Sequence, residues 1–264
     1  MNKIILRRQR ITESDTLGTL EEKMKKHNFF YSLAEYARPL IDLHDENLSN
    51  IREGFAPKRN LRMDEEYLRT TLLCGGELAA ICFQLDQTIQ FLSNFRSTKK
   101  LKEYKINRYD HVVYHLENHL IRITSIFDRC LILTNQVFLL GNTPKNCKQY
   151  IIYKNQYVQG TIIVKILKKI EKHINPYRTK RNVIVHQKGY SRKDLSILEA
   201  CSILEKQGED FFHQYYYKRQ INGFVKERKA ELVIVNNTLF QLIDDFLTEL
   251  LKVFEKKYKK LKPV

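Results

Sequence analysis

Apolar residues in this chain return at intervals of three and four, and little in the sequence interrupts that rhythm. Only 5 prolines and 9 glycines punctuate 264 residues. Such spacing puts the apolar side chains on one stripe of a 3.6-residue helix, whereas a half-buried strand would need alternation. The pattern therefore predicts an all-α protein, a helical bundle with one or more additional helices at its N-terminal end.

The first predicted helix covers about Leu17 to Leu43, with Phe29, Phe30, Leu33, Tyr36, Ala37 and Leu40 as its stripe. Gly54 and Pro57 in "NIREGFAPKRNLR" mark a connector. Residues 1–61 are accordingly read as an N-terminal helix and connector packed on a bundle of residues 62–264. The second helix is expected from Asp64 to Phe95, where Gly75, Gly76, Ala79 and Ala80 would let a neighbouring helix come close. The third runs from Tyr104 to Leu140 and ends at "GNTP", because Gly141 can adopt the left-handed cap conformation and Pro144 cannot continue a helix. An irregular stretch, "KNCKQYIIYKNQYVQG", follows. The fourth helix, "TIIVKILKKIEKHI", is expected to stop before Asn175 and Pro176, since the residue preceding a proline is pushed away from helical geometry. A short helix from Lys193 to Lys206 and a long one from Tyr217 to Leu261 complete the chain.

Basic residues outnumber acidic ones, 46 to 30, for a net charge of +16. A positive field of this size attracts phosphates and acidic partners. The same Lys-, Ile-, Asn- and Tyr-rich composition also arises from codon bias in AT-rich genomes, so charge alone assigns no activity. The five cysteines, Cys74, Cys82, Cys130, Cys147 and Cys201, are scattered and lack C-x-x-C spacing, which argues against a disulfide framework and a zinc ribbon. "MNKIILRRQRITESD" has three consecutive apolar residues before its basic cluster, far short of a signal-peptide core, and no apolar run approaches a membrane span. A cytoplasmic protein with no membrane partner is expected.

The most informative stretch is "KRNVIVHQ", Lys180 to Gln187, where polar groups fence an apolar triplet. In a helix Asn182 and His186 share a face, while Arg181 and His186 lie about 140° and about 7.5 Å apart, a gap that a long arginine spans. Val183, Ile184 and Val185 would pack that turn onto the bundle. An imidazole titrates near neutral pH and can exchange a proton with a 2′-hydroxyl or a leaving 5′-oxygen, while a guanidinium forms paired hydrogen bonds to phosphate. RNA strand cleavage is the chemistry this pair suits. The RNA supplies its own nucleophile, so no metal or other cofactor is called for. One histidine is short of both an acid and a base, and a second copy in a homodimer would provide the other.

Arg181-Asn182-x-x-x-His186 resembles the R-x(4–6)-H motif of the HEPN superfamily, in which a polar residue, commonly asparagine, follows the arginine. The resemblance implies a helical bundle and a metal-independent endoribonuclease whose two motifs meet across a dimer interface. It also implies a toxin–antitoxin or defence setting with an antitoxin or other regulatory protein as partner. An acidic or polar residue on an earlier helix is implied as well, and Asp128 in "SIFDRCLILTNQVF" is the candidate. Arg181, Asn182, His186 and Asp128 are thus the candidate catalytic residues, with Arg178, Lys180, Gln187 and Lys188 as RNA contacts. The superfamily subgroup paired with nucleotidyltransferase antitoxins carries a tyrosine two residues after the histidine; Lys188 stands there in this chain. A non-catalytic RNA- or nucleotide-binding module and a structural partner protein are the alternative functions.

Each feature has a plainer reading. Arg181 and His186 serve equally as a surface arginine and a hydrogen-bonded helix histidine. Asn182 could cap a helix beginning after Pro176, and Asp128 could pair with Arg129 or Arg122. His111, His115 and His119 recur every fourth residue, but the outer two are about 12 Å apart along a helix, so at most two could share one metal ion. "FFHQYYYKRQ", Phe211 to Gln220, offers aromatics beside bases that either stack nucleobases or pack a core. "KVFEKKYKKLK" reads as a helix end with a solvated basic face.

Overall fold

A computed structural model describes residues 26–45, 60–186, 193–207 and 211–263. These are helical, with no strand among the described residues, as the periodicity predicts. The elements in chain order are α1 (Asn28–Asp45), α2 (Met63–Ser93), α3 (Lys99–Glu103), α4 (Arg108–Phe138), α5 (Gln149–Lys154), α6 (Ile162–His186), α7 (Lys193–Gln207) and α8 (Phe211–Leu261). A 3-10 turn, Pro144–Asn146, precedes α5.

Helices α2, α4, α6 and α8 pack along one another. Their shared core includes Leu78, Cys82 and Leu85 from α2, Phe127, Leu131 and Leu133 from α4, Leu167, Ile170 and Ile174 from α6, and Phe246, Leu250 and Phe254 from α8. Each such side chain contributes about 1.5–3 kcal/mol by leaving water. Helix α1 joins this core through Phe29, Leu33 and Ala37. It seats against α2 where Gly75 is buried: a Cβ there would stand 3.1 Å from Phe30 Cε1 and 3.3 Å from Phe29 Cε1. Gly76 faces open space, so of the two glycines only Gly75 permits the close approach.

A second, smaller core closes the opposite end of the bundle, where Leu92 of α2 and Val112 and Leu116 of α4 meet Leu195 and Leu198 of α7 and Tyr217, Ile221, Phe224 and Val225 of α8. At 1.5 Å per residue the 51-residue α8 is about 75 Å long, long enough to serve both cores. Asn107 joins α4 to α7. Its side-chain oxygen accepts from the Tyr109 and Asp110 amides, capping α4, and its amide donates to Ser202 Oγ at 2.8 Å and Glu205 Oε2 at 2.9 Å.

Several expected boundaries move, and the last helix starts at Phe211 instead of Tyr217. The third helix starts at Arg108 rather than Tyr104: an unpredicted short helix, α3, ends at Glu103, Lys105 takes a positive φ of 54°, and Asn107 caps the start of α4. More consequential for the site, the fourth helix does not stop before Pro176 but continues to His186. Proline inside a helix removes a hydrogen bond and costs about 3 kcal/mol. Tertiary contacts on both sides of it oppose that loss. Ile170 and Ile174 are fully buried before it. His173 Nε2 donates to the Val235 carbonyl at 3.0 Å. After the proline, Tyr177 packs against the core and the Arg178 guanidinium lies 5.0 Å from the centre of the Phe127 ring.

Candidate active site

Because α6 runs unbroken through Pro176, Arg178, Arg181 and Asn182 fall at i, i+3 and i+4, on one face of its last turns. Across from them α4 presents Thr124, Phe127, Asp128 and Leu131 at the same periodicity. The connector after α4 supplies a third wall, Lys145, Lys148 and Gln149. Together these side chains line an open cleft of about 530 Å³.

The connector is held by its own hydrogen bonds. Leu139 ends α4 in the left-handed conformation. Asn135 then grips the backbone of Asn142 in both directions, donating to its carbonyl at 2.9 Å and accepting from its amide at 3.2 Å. The expected cap, Gly141, takes φ +72° but lies beyond the helix end, where Leu139 holds the capping position instead. Farther along, Gln149 donates to Glu171 Oε2 of α6 at 2.6 Å, tying the third wall to α6. Burial and the adjacent Glu171 charge push the Tyr153 hydroxyl well above its ordinary range, so it stays neutral behind this wall. Cys147, also on the cleft, is raised by burial and donates its thiol hydrogen toward the Thr143 carbonyl at 3.4 Å, a packing role rather than a nucleophile's.

The cations of the cleft are not equivalent. Arg178 has a carboxylate partner, Glu171, at 3.6 Å. Arg181 has none among the described residues. One guanidinium nitrogen donates to Asn182 Oδ1 at 3.1 Å, and its Nε is buried without a hydrogen-bond partner. A neutral amide thus steadies this guanidinium while no described carboxylate pairs with its charge, which is the condition under which arginine takes a bidentate anion such as phosphate. Lys145 and Lys148 likewise form no ion pair among the described residues, so the cleft as a whole favours an anion.

Asp128 is exposed on the α4 wall. The expected alternative of a helix ion pair does not hold: Arg129 pairs with Glu77 of α2, and Arg122 donates to Gln84 and Asn118. The capping alternative for Asn182 fails too, because Asn182 lies inside α6 and accepts from Arg181. Lys180 points elsewhere, its ammonium 5.8 Å from the Tyr177 ring centre. His186 is the last residue of α6, one turn beyond Asn182, and Val183 and Ile184 between them are half-buried. The His186 side chain, Gln187 and Lys188 lie outside the described residues. Sequence reasoning missed Lys145, Lys148 and Gln149, which sit in a stretch without periodicity; the usable signal was a pair of lysines around a proline-led turn.

The three regularly spaced histidines do separate work. His119 is fully buried and its Nε2 donates to Asn236 Oδ1 of α8 at 3.0 Å. Burial lowers it to about 4. His111 donates to the Phe91 carbonyl at 2.7 Å, and His115, its ring centre 4.4 Å away, is brought down to about 4 by burial and by the charges of His111 and Arg122. Among the described residues no group of three or more His, Cys, Asp or Glu side chains is placed to hold a metal ion.

In comparison with known families, residues 77–247 match the HEPN_Cthe2314-like HEPN family. That span holds α4, α5, α6 and every residue named in the cleft. No curated protein and no solved structure matches the chain.

Proposed function

The chain belongs to the HEPN_Cthe2314-like HEPN family, and from that premise we propose that it is a metal-independent endoribonuclease working as a homodimer. The observation that carries the reading is the Arg181 guanidinium, without an ion pair among the described residues and steadied by Asn182 in a cleft that also holds Asp128, Arg178, Lys145 and Lys148. Arg181 binds the scissile phosphate and offsets the charge that builds as the 2′-oxygen attacks phosphorus. Asn182 keeps the guanidinium planar to that phosphate. Asp128, with no other ion pair among the described residues, positions the arginine from the opposite wall. His186 of one subunit takes the 2′-hydroxyl proton, and the imidazolium of the second subunit protonates the departing 5′-oxygen. The phosphorus–5′-oxygen bond breaks as the 2′-oxygen–phosphorus bond forms, so one product ends in a 2′,3′-cyclic phosphate and the other in a 5′-hydroxyl.

Cytoplasmic action as a toxin or defence effector, restrained by an antitoxin or other regulatory protein, is the setting proposed. No helix among the described residues is long and apolar enough to cross a membrane. The test is cleavage of end-labelled RNA by the purified protein in excess chelator, with the new ends identified by mass. His186→Ala and Arg181→Ala are each expected to lower the rate at least 100-fold, within the range for a proton-transfer group or an electrostatic clamp. Undiminished cutting by His186→Ala, or cutting only with added divalent metal, defeats the mechanism. RNA binding that survives His186→Ala, with no cleavage by the wild type, selects a non-catalytic RNA-binding module.

A further inference from the structure

Near its N-terminal end, α8 buries Tyr217, Ile221, Phe224, Val225 and Arg228. These residues define the inward face, and the opposite face carries Tyr215, Arg219, Asn222 and Lys226, with Tyr216 and Lys229 on its flanks. The triple tyrosine of the sequence therefore divides. Tyr217 is 3% exposed and belongs to the second core, whereas Tyr215 and Tyr216 are 68% and 45% exposed.

The charge on this face has no carboxylate partner among the described residues. Arg219, Lys226 and Lys229 have no carboxylate three or four positions away in either direction, the only spacings at which a helix offers a partner. They form no ion pair with any other described residue. Of the neighbouring bases, Lys218 acts on Glu205 of α7 and Arg108 of α4 donates to Asn222. Tyr215 and Tyr216 occupy the i−4 and i−3 positions of Arg219, so one helical turn presents two phenol rings beside a guanidinium with no ion pair among the described residues. Exposed tyrosines recur elsewhere on the surface, Tyr114 and Tyr157 among them; what sets this face apart is that two adjacent rings stand beside cations with no carboxylate at helical spacing. Phenol faces stack on bases irrespective of sequence, and cations about two and three turns beyond Arg219 follow a phosphate backbone.

We propose that this stretch of α8 is a platform for single-stranded RNA, separate from the catalytic cleft: Tyr215 and Tyr216 stack on bases, and Arg219, Lys226 and Lys229 contact the backbone. The proposal deepens the endoribonuclease reading and rests on it for the identity of the strand. Along α4, Arg108 beside the platform and Asp128 in the cleft are separated by about 30 Å, at 1.5 Å per residue. A strand must span that distance to touch both, so the platform favours longer substrates over short ones.

The experiment compares the full-length wild type with the double variant Tyr215→Ser, Tyr216→Ser and with Arg219→Gln, circular dichroism confirming helicity. Two substrates are used, a dinucleotide and an oligouridylate of about 20 nucleotides. The platform predicts at least a tenfold rise in KM for the long strand, unchanged kcat, and unchanged kcat/KM for the dinucleotide. An unchanged KM for the long strand overturns it while leaving the cleft reading intact. If the wild type cleaves neither substrate, the endoribonuclease reading fails. The platform is then judged by fluorescence anisotropy on the same long strand: at least tenfold weaker binding by the double variant upholds it, and equal binding overturns it.

Discussion

Acidification from pH 7 to pH 5 should weaken the fold through His119. This imidazole is buried between α4 and α8, where Nε2 donates to Asn236 Oδ1 and Nδ1 has no hydrogen-bond partner among the described residues. Protonation would place a charge in the core with its second N–H unsatisfied, and burial accordingly lowers the group from its ordinary 6.5 to about 4. As pH falls through 6.5 the unfolded chain takes up this proton first, so it binds more protons than the folded chain until pH 4 is passed. The contribution is therefore fully present above pH 6.5 and is lost progressively between 6.5 and 4. At 1.36 kcal/mol per unit the whole loss is about 3 kcal/mol, of which about 2 kcal/mol falls between pH 7 and pH 5. The perturbation that isolates it is His119→Gln, which retains a donor but does not titrate. The chain has no tryptophan, so urea unfolding is followed by far-ultraviolet circular dichroism at pH 7, 6 and 5. Wild type should lose about 2 kcal/mol more than His119→Gln over that interval. Parallel losses in the two proteins, or a nuclear magnetic resonance titration placing His119 near 6.5, would refute the reasoning.

Further outcomes follow from the packing and the cleft. Gly76→Ala should stabilise α2 by about 0.5–1 kcal/mol, because the site is open and alanine is the better helix former, whereas Gly75→Ala should fall at least about 1 kcal/mol short of that since its methyl meets Phe29 and Phe30; paired urea titrations decide. Asn107→Ala removes both the α4 cap and the hydrogen bonds to α7, and should cost about 1–2 kcal/mol in the same assay. Arg181→Lys keeps the charge but loses the planar fork, so RNA cleavage should drop at least about tenfold with the thermal midpoint unchanged. Asp128→Asn should lower kcat more than it raises KM if the carboxylate positions Arg181, and equal changes in both would remove it from that role.

Much of the fold was legible because helical periodicity is a local property. Stripes such as Phe29, Leu33 and Ala37, or Leu167, Ile170 and Ile174, announce both the helix and its buried face without knowledge of the partner. The relative placement of Arg181, Asn182 and His186 was legible for the same reason, since residues on one continuous helix keep a fixed angular relation. Pro176 misled because its local penalty is real and the contacts that offset it, His173 on Val235 and Arg178 on Phe127, come from elements distant in sequence.

The sequence by itself therefore determined the helical class, the faces each helix buries and the register of the motif, all of which are set by the 3.6-residue repeat within a single segment. Tertiary structure alone decided that Asp128 faces Arg181 and Asn182 across one cleft, that Lys145 and Lys148 complete its third wall, and that Arg129 and Arg122 are occupied elsewhere. It also decided which of three adjacent tyrosines is core and which two meet solvent. Those outcomes depend on how helices far apart in the chain come into contact, and no periodicity within one helix encodes the rotation of its neighbour.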